Sequence, residues 1–185
     1  MGAVRLAEIE KEFAGHIVIQ WKSFLLRPEP RPVPIDRFRD YTRSWLRVAE
    51  HGGARFRPWS TSEPPPKHSL PPNVAVKAAA RLGGFERYHL ALMDAYFYRN
   101  LDVTARRNLV QVAAECGLDT RAFEAALEDP RLRREVEEDH REALERGVTG
   151  VPTLVAGEIA IPGAQSLDFY RHLVRRCLQR AGERP

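Results

Sequence analysis

Residues 147–165 read GVTGVPTLVAGEIAIPGAQ. Gly147 suits the end of a helix, because a left-handed C-terminal residue carries no penalty in glycine. Gly150-Val151-Pro152-Thr153 then turns the chain. Thr153–Ala156 and Glu158–Ile161 read as two short strands, with Gly157 supplying a tight hairpin. Pro152 has two readings at this point. It is an ordinary trans proline opening a strand, or a cis proline, which X–Pro bonds accept at small cost. A cis bond would leave the Val151 backbone exposed at the sheet end, free to pair with an extended peptide or a glutathione main chain.

Upstream, Asp129-Pro130 makes an N-cap and first helical position, opening a charged helix to about Arg146. Downstream, Ser166 caps a last helix on which Leu167, Tyr170, Leu173, Val174 and Cys177 share one side. At the other end of the chain, Leu6, Ile9 and Phe13 define an amphipathic helix over 3–14, stopped by Gly15. HIVIQWKSFLL (16–26) follows, with Ile19 and Trp21 alternating against Gln20 and Lys22, and predicts a strand. A helix followed by a strand is half of a β-α-β unit, whose opening parallel strand would have to precede Met1.

Between these ends lies helical sequence. Prolines 28, 30, 32 and 34 give an extended exit from the strand. Asp36 reads as an N-cap, and Phe38, Tyr41, Trp45 and Val48 form one helix face ending at Gly52-Gly53. RPWSTSEPPPKHSLPP (57–72) is a second proline-rich connection, read as an ordered loop over the helices in preference to a polyproline ligand for another protein. Helices are expected over 73–82, 85–98 and 105–116, with a short one after Asp119. Phe38, Tyr41, Trp45, Phe85, Leu92, Tyr96, Leu109, Val112 and Phe123 are the expected core of this block.

The 185 residues are 43% hydrophobic and 29% charged, ordinary globular values that need no disulfide framework. The net charge of +4 comes from scattered arginines, which does not point to nucleic acid. The N-terminus has no signal-peptide core, and no apolar run approaches the ~18 residues of a membrane span. The chain reads as a soluble cytoplasmic protein with neither nucleic-acid nor membrane partners.

Few side chains invite chemistry. Cys116 and Cys177 lie on apolar helix stripes, where a free cysteine acts as a small hydrophobe, and they are expected to stay unpaired. The six histidines make no metal-ligand spacing. His68-Ser69 lacks triad geometry, and His140 reads as a packed helix residue. Arg171, Arg175, Arg176 and Arg180 read as a solvated face near a helix C-terminus rather than a phosphate site.

The order Gly147-Val148-x-Gly150-Val151-Pro152-Thr153, two strands, then Gly163-Ala164-Gln165 resembles the C-terminal half of DsbA-like thioredoxin-fold oxidoreductases, in their cytoplasmic FrnE-like branch. Trp21-x-x-Phe24-x-Leu26-x-Pro28, Asn73-x-Ala75 and Phe97-x-x-x-Leu101-Asp102 extend the resemblance over nearly the whole chain. It implies an α/β fold, a thioredoxin-like sheet interrupted by a large α-helical insertion. The thioredoxin-like part would be 1–34 and 148–185, and the insertion 35–147. In that family a Cys-x-x-Cys at the start of the first helix faces a cis proline. Here Met1 falls just after that place and Gly2 matches the glycine a few residues beyond it. The first strand and the dithiol are thus expected to be missing, through a start assigned too late or a degenerate copy.

The resemblance further implies thiol–disulfide exchange with a protein or small thiol, and substrate binding at Val151, Pro152 and Thr153. It implies no catalytic residue and no metal within these 185 residues, no resident cofactor, and glutathione as a candidate co-substrate. Two rivals share these residues. One is a glutathione-dependent isomerase or kappa-type transferase on the same fold, which usually carries Gly-Asn-Asp-Arg where this chain has Gly163-Ala164-Gln165-Ser166. The other is a non-catalytic peptide-binding protein that kept the groove.

Overall fold

A computed structural model describes residues 2–49 and 54–182, side chains 48 and 181 excepted. The Gly52-Gly53 helix stop and the Val48 side chain lie outside the described residues. Two compact units emerge, one formed by residues 1–22 and 143–185, the other by 23–142. The sequence boundaries had been expected at 34/35 and 147/148. Ser23 onward joins the helical unit because its backbone is bonded there: Ser23 N–H donates to Asp139 Oδ2 (3.0 Å) and Leu25 N–H to His140 Nδ1 (3.3 Å).

The first unit holds α1 (Gly2–Glu12), β1 (Thr153–Ala156), β2 (Ile159–Pro162) and α9 (Leu167–Gly182). β1 and β2 form an antiparallel hairpin in which Ala156 pairs with Ile159 across Gly157-Glu158. Gly157 takes φ 62°, the left-handed value that a tight hairpin turn requires. Leu6 and Ile9 of α1 meet Tyr170 of α9, with Phe13, Ile17, Ile19, Trp21, Leu154, Leu167 and Val174 packed around them. This small apolar core holds the hairpin against two helices, since a lone two-stranded hairpin is marginal in water.

Residues 17–21 keep the predicted alternation, but no ladder forms. Ile17, Ile19 and Trp21 face the core while Val18 is 90% exposed. The Ile19 N–H donates to Glu10 Oε1 (3.2 Å). A strand exists only when a neighbour pairs with it, and among the described residues β1 and β2 pair only with each other.

The second unit is helical: α2 (Ile35–Thr42), α3 (Trp45–Ala49), α4 (Leu70–Arg81), α5 (Phe85–Phe97), α6 (Arg106–Glu115), α7 (Thr120–Leu127) and most of α8 (Pro130–Glu145). Ala75, Ala78, Tyr88, Val112, Phe123, Leu132 and Val136 are fully buried at its centre. Small alanines on α4 let the neighbouring helices close over it. A second cluster joins Phe38, Trp45 and Trp59, whose rings meet edge to face at 5.2–6.2 Å. No helix among the described residues is long and apolar enough to cross a membrane.

Several expectations need correction. The helix after Pro34 breaks at Arg43-Ser44, so α2 and α3 replace one continuous helix. Tyr41 is 59% exposed rather than buried, because Thr42 takes the inward position. Its Oγ1 donates to Arg39 C=O (2.9 Å) and accepts from Trp59 N–H (2.8 Å), a role no phenol could fill there. Asp36 is no N-cap: Pro34 occupies that position, and Asp36 lies in the first turn, where its charge still suits the helix dipole. α4 begins at Leu70, inside the supposed proline loop. Pro71 and Pro72 occupy the first turn, where a missing N–H costs no hydrogen bond.

Candidate functional site

The Gly147–Gln165 stretch builds one compact corner of the first unit. Gly147, at φ 73°, reverses the chain at the end of α8. Its N–H bonds Leu144 C=O (2.9 Å), and Val148 N–H bonds Ala143 C=O (2.9 Å) while its side chain is buried. The next residues loop out to Val151-Pro152, whose peptide bond is cis. Thr153 Oγ1 reaches back to Gly150 C=O (2.7 Å), closing the loop on its own backbone. Pro152 C=O accepts from Gly163 N–H (2.8 Å), just beyond the Thr153–Pro162 end of the ladder.

Val151 is left outside this web. It is 51% exposed, and among the described residues none hydrogen-bonds its N–H or C=O. Pro152 lies against the start of α1. A Cβ placed on the buried Gly2 would stand 3.3 Å from Pro152 Cβ and Cγ, tight enough to push the proline by a few tenths of an ångström, so glycine suits this close approach. Among the described residues no acidic residue occupies the first turn of α1, so the helix's own side chains do not offset the positive end of its dipole. Pro152 therefore stands at a helix N-terminus, with the open backbone of Val151 next to it in the chain.

Elsewhere the candidate side chains have structural work. Cys116 and Cys177 are both free thiols. Cys116 is half-buried, and burial pushes its thiol above the usual range, away from thiolate chemistry. Cys177, expected on a buried stripe, is exposed: the packed face of α9 runs through Leu167, Tyr170 and Val174 and leaves it at the flank. His68 Nε2 contacts Pro28 C=O (2.9 Å) and Ser69 Oγ accepts from Arg27 N–H (2.9 Å), so neither forms a dyad with the other. His140 stands edge-on to Phe24 at 4.9 Å. Arg171 donates to Glu12 (2.8 Å) and Asp168 (3.0 Å), tying α9 to α1. Among the described residues no three His, Cys, Asp or Glu side chains converge on a metal-sized point.

Two features escaped the sequence reading: the close approach of Gly2 to Pro152, and the way Gly163 holds the Pro152 carbonyl. The order of Gly163-Ala164-Gln165 after the Val151-Pro152-Thr153 turn was the signal that linked the two motifs.

A family model described as a DSBA-like thioredoxin domain matches residues 1–175. The chain belongs to this family, that of the DsbA-like thiol–disulfide oxidoreductases. YwbO, an uncharacterized protein of Bacillus subtilis (strain 168), is 28% identical over 91% of this chain and 86% of its own length. The fold also matches a putative protein disulfide isomerase from Nitrosomonas europaea, with a TM-score of 0.81 at 15% identity. That match covers 96% of this chain and 90% of the other. The cytosolic disulfide reductase DsbM from Pseudomonas aeruginosa, in its structure with GSH, gives a TM-score of 0.68 at 22% identity. It covers 98% of this chain and 90% of its own. At these identities the two structures establish the fold.

Proposed function

We propose that this chain is a FrnE-like member of the family, acting in the cytoplasm. It would dock the main chain of a thiol-bearing substrate, either an extended peptide or glutathione, at Val151–Thr153. The observation that carries this reading is the open Val151 backbone beside Pro152 at the start of α1. An N–H and a C=O that no described residue bonds are what a substrate strand or a glutathione backbone would pair with. DsbM, a cytosolic disulfide reductase whose structure is also known with GSH, supports both the compartment and the ligand class. Gly163-Ala164-Gln165-Ser166 favours this branch over the isomerase and transferase reading.

The 185 residues contain only two cysteines, at positions 116 and 177, neither at the docking turn. These 185 residues would therefore bind without exchanging. S-methylglutathione, a thioether that cannot form a disulfide, is the appropriate probe in calorimetry. Val151→Ala should bind within about twofold of the parent, because recognition is by main chain, while Val151→Pro, lacking the N–H, should lose about tenfold or more. The 185-residue chain should not accelerate insulin reduction by dithiothreitol. Equal binding by the alanine and proline variants would refute main-chain docking, and accelerated insulin reduction would refute binding without exchange.

A further inference from the structure

Gln165, in the β2–α9 connection, is held at its backbone N–H, its backbone C=O and its side-chain Nε2. Its N–H donates to the Tyr170 hydroxyl (3.1 Å). Its C=O accepts from Arg5 Nη1 (2.7 Å). Its side-chain Nε2 donates to Pro162 C=O (2.9 Å), closing a loop around Gly163-Ala164. Gly163, at φ 79°, in turn points its N–H at Pro152 C=O. Tyr170 is 2% exposed and packed on Leu6 and Ile9 of α1, so its hydroxyl is a fixed point. Arg5 is one turn into the same helix whose first residue abuts Pro152.

We propose that Tyr170 and Arg5 are positioning residues for the docking turn, acting through Gln165. The hairpin is short and β2 is largely exposed, so its ladder alone does not fix how Pro152 stands over α1. The Tyr170 and Arg5 side chains grip the backbone of one residue, Gln165, on either side of its Cα; its side-chain amide closes the Gly163 corner, and the corner holds the Pro152 carbonyl. This gives the Gly-Ala-Gln motif a physical reason to accompany Val-Pro-Thr: glycine supplies the left-handed turn, and glutamine supplies the side-chain amide that closes it. The inference rests on the docking role proposed for Val151–Thr153, but its structural half can be read without any ligand.

The test uses Tyr170→Phe, which deletes one oxygen and keeps the buried ring, together with Arg5→Met and the conservative Arg5→Lys. Amide hydrogen exchange and amide chemical shifts are followed by NMR, and S-methylglutathione binding by titration. In Tyr170→Phe the Gly163 amide should exchange about tenfold faster, in keeping with loss of one supporting hydrogen bond, while Leu154, Val155 and the α1 amides stay unchanged. Affinity for S-methylglutathione should fall about fivefold to tenfold. Arg5→Met should do the same, with Arg5→Lys restoring at least part of the loss. Unchanged Gly163 exchange and unchanged Val151 shifts in Tyr170→Phe would overturn the proposal. So would uniform acceleration across α1, α9 and the hairpin, which would mark Tyr170 as purely structural. If the parent chain binds no S-methylglutathione, the docking reading fails. The Gly163 and Val151 amides then decide the positioning claim alone.

Discussion

Lys77→Met removes one half of a largely buried ion pair while keeping most of the side chain's volume. Lys77 Nζ lies 2.5 Å from Asp139 Oδ2, and the two side chains are 22% and 8% exposed. Charge centres ~4 Å apart attract by about 4 kcal/mol at an effective dielectric near 20. Breaking a buried pair by deleting one partner costs about 3–5 kcal/mol, because the survivor stays charged and desolvated. Ser23 N–H still donates to the Asp139 carboxylate after the substitution, which places the expected loss near the lower limit, about 3 kcal/mol. With a urea slope of about 2 kcal/mol per molar, the unfolding midpoint should drop by roughly 1.5 M. Adding Asp139→Asn to Lys77→Met keeps an acceptor for Ser23 and removes the buried charge that has lost Lys77. The double variant should therefore recover at least about 1 kcal/mol over the single one. A single-variant cost below about 1 kcal/mol, the value of an exposed pair, would show the reasoning to be wrong.

The two thiols should differ in reactivity. Cys177 is exposed and should be alkylated at the rate of a solvent thiol, with Cys116 slower by about tenfold or more, since burial both shields it and raises its pKa. Mass spectrometry after brief iodoacetamide treatment reads this directly, and preferential labelling of Cys116 would contradict it. Stability should fall on mild acidification. His89, stacked on Phe85 at 5.4 Å, has its pKa lowered by burial. Its unfolded form takes up a proton below about pH 6.5 while the folded form resists, so stability present above that pH is lost progressively toward the lowered folded pKa. Urea midpoints at pH 7.5 and 5.5 should differ more for the parent than for His89→Gln, and equal differences would remove His89 from the account.

Periodic and punctuated segments were legible in the sequence because their causes are local. Gly157 marks the hairpin, Asp119 caps α7 by accepting from Ala122 N–H (3.0 Å), and Ser166 accepts from Phe169 N–H (3.2 Å). The Val151-Pro152-Thr153 turn was legible through its order with Gly-Ala-Gln. What stayed hidden depends on partners distant in sequence. Whether 17–21 forms a ladder depends on a neighbouring strand, not on its own alternation. Thr42 displaces Tyr41 from the core because Trp59, 17 residues on, needs an acceptor for its N–H. Asn100 adopts φ 57° and is fully buried because its amide holds Ser60 N–H (3.0 Å) and Arg57 C=O (3.2 Å), a loop its own neighbours do not announce. Cys177 shares a helical stripe with Val174, yet the packed face passes beside it.

The docking claim is tested most directly by titrating the ¹⁵N-labelled chain with S-methylglutathione and following every assigned amide. The account predicts saturable shifts largest at Val151 and Thr153, with smaller ones at Gly150 and Gly163 and none at Cys116 or Cys177. Saturable shifts that leave Val151 and Thr153 untouched, or no binding of this probe or of an S-methylcysteine peptide, would contradict it.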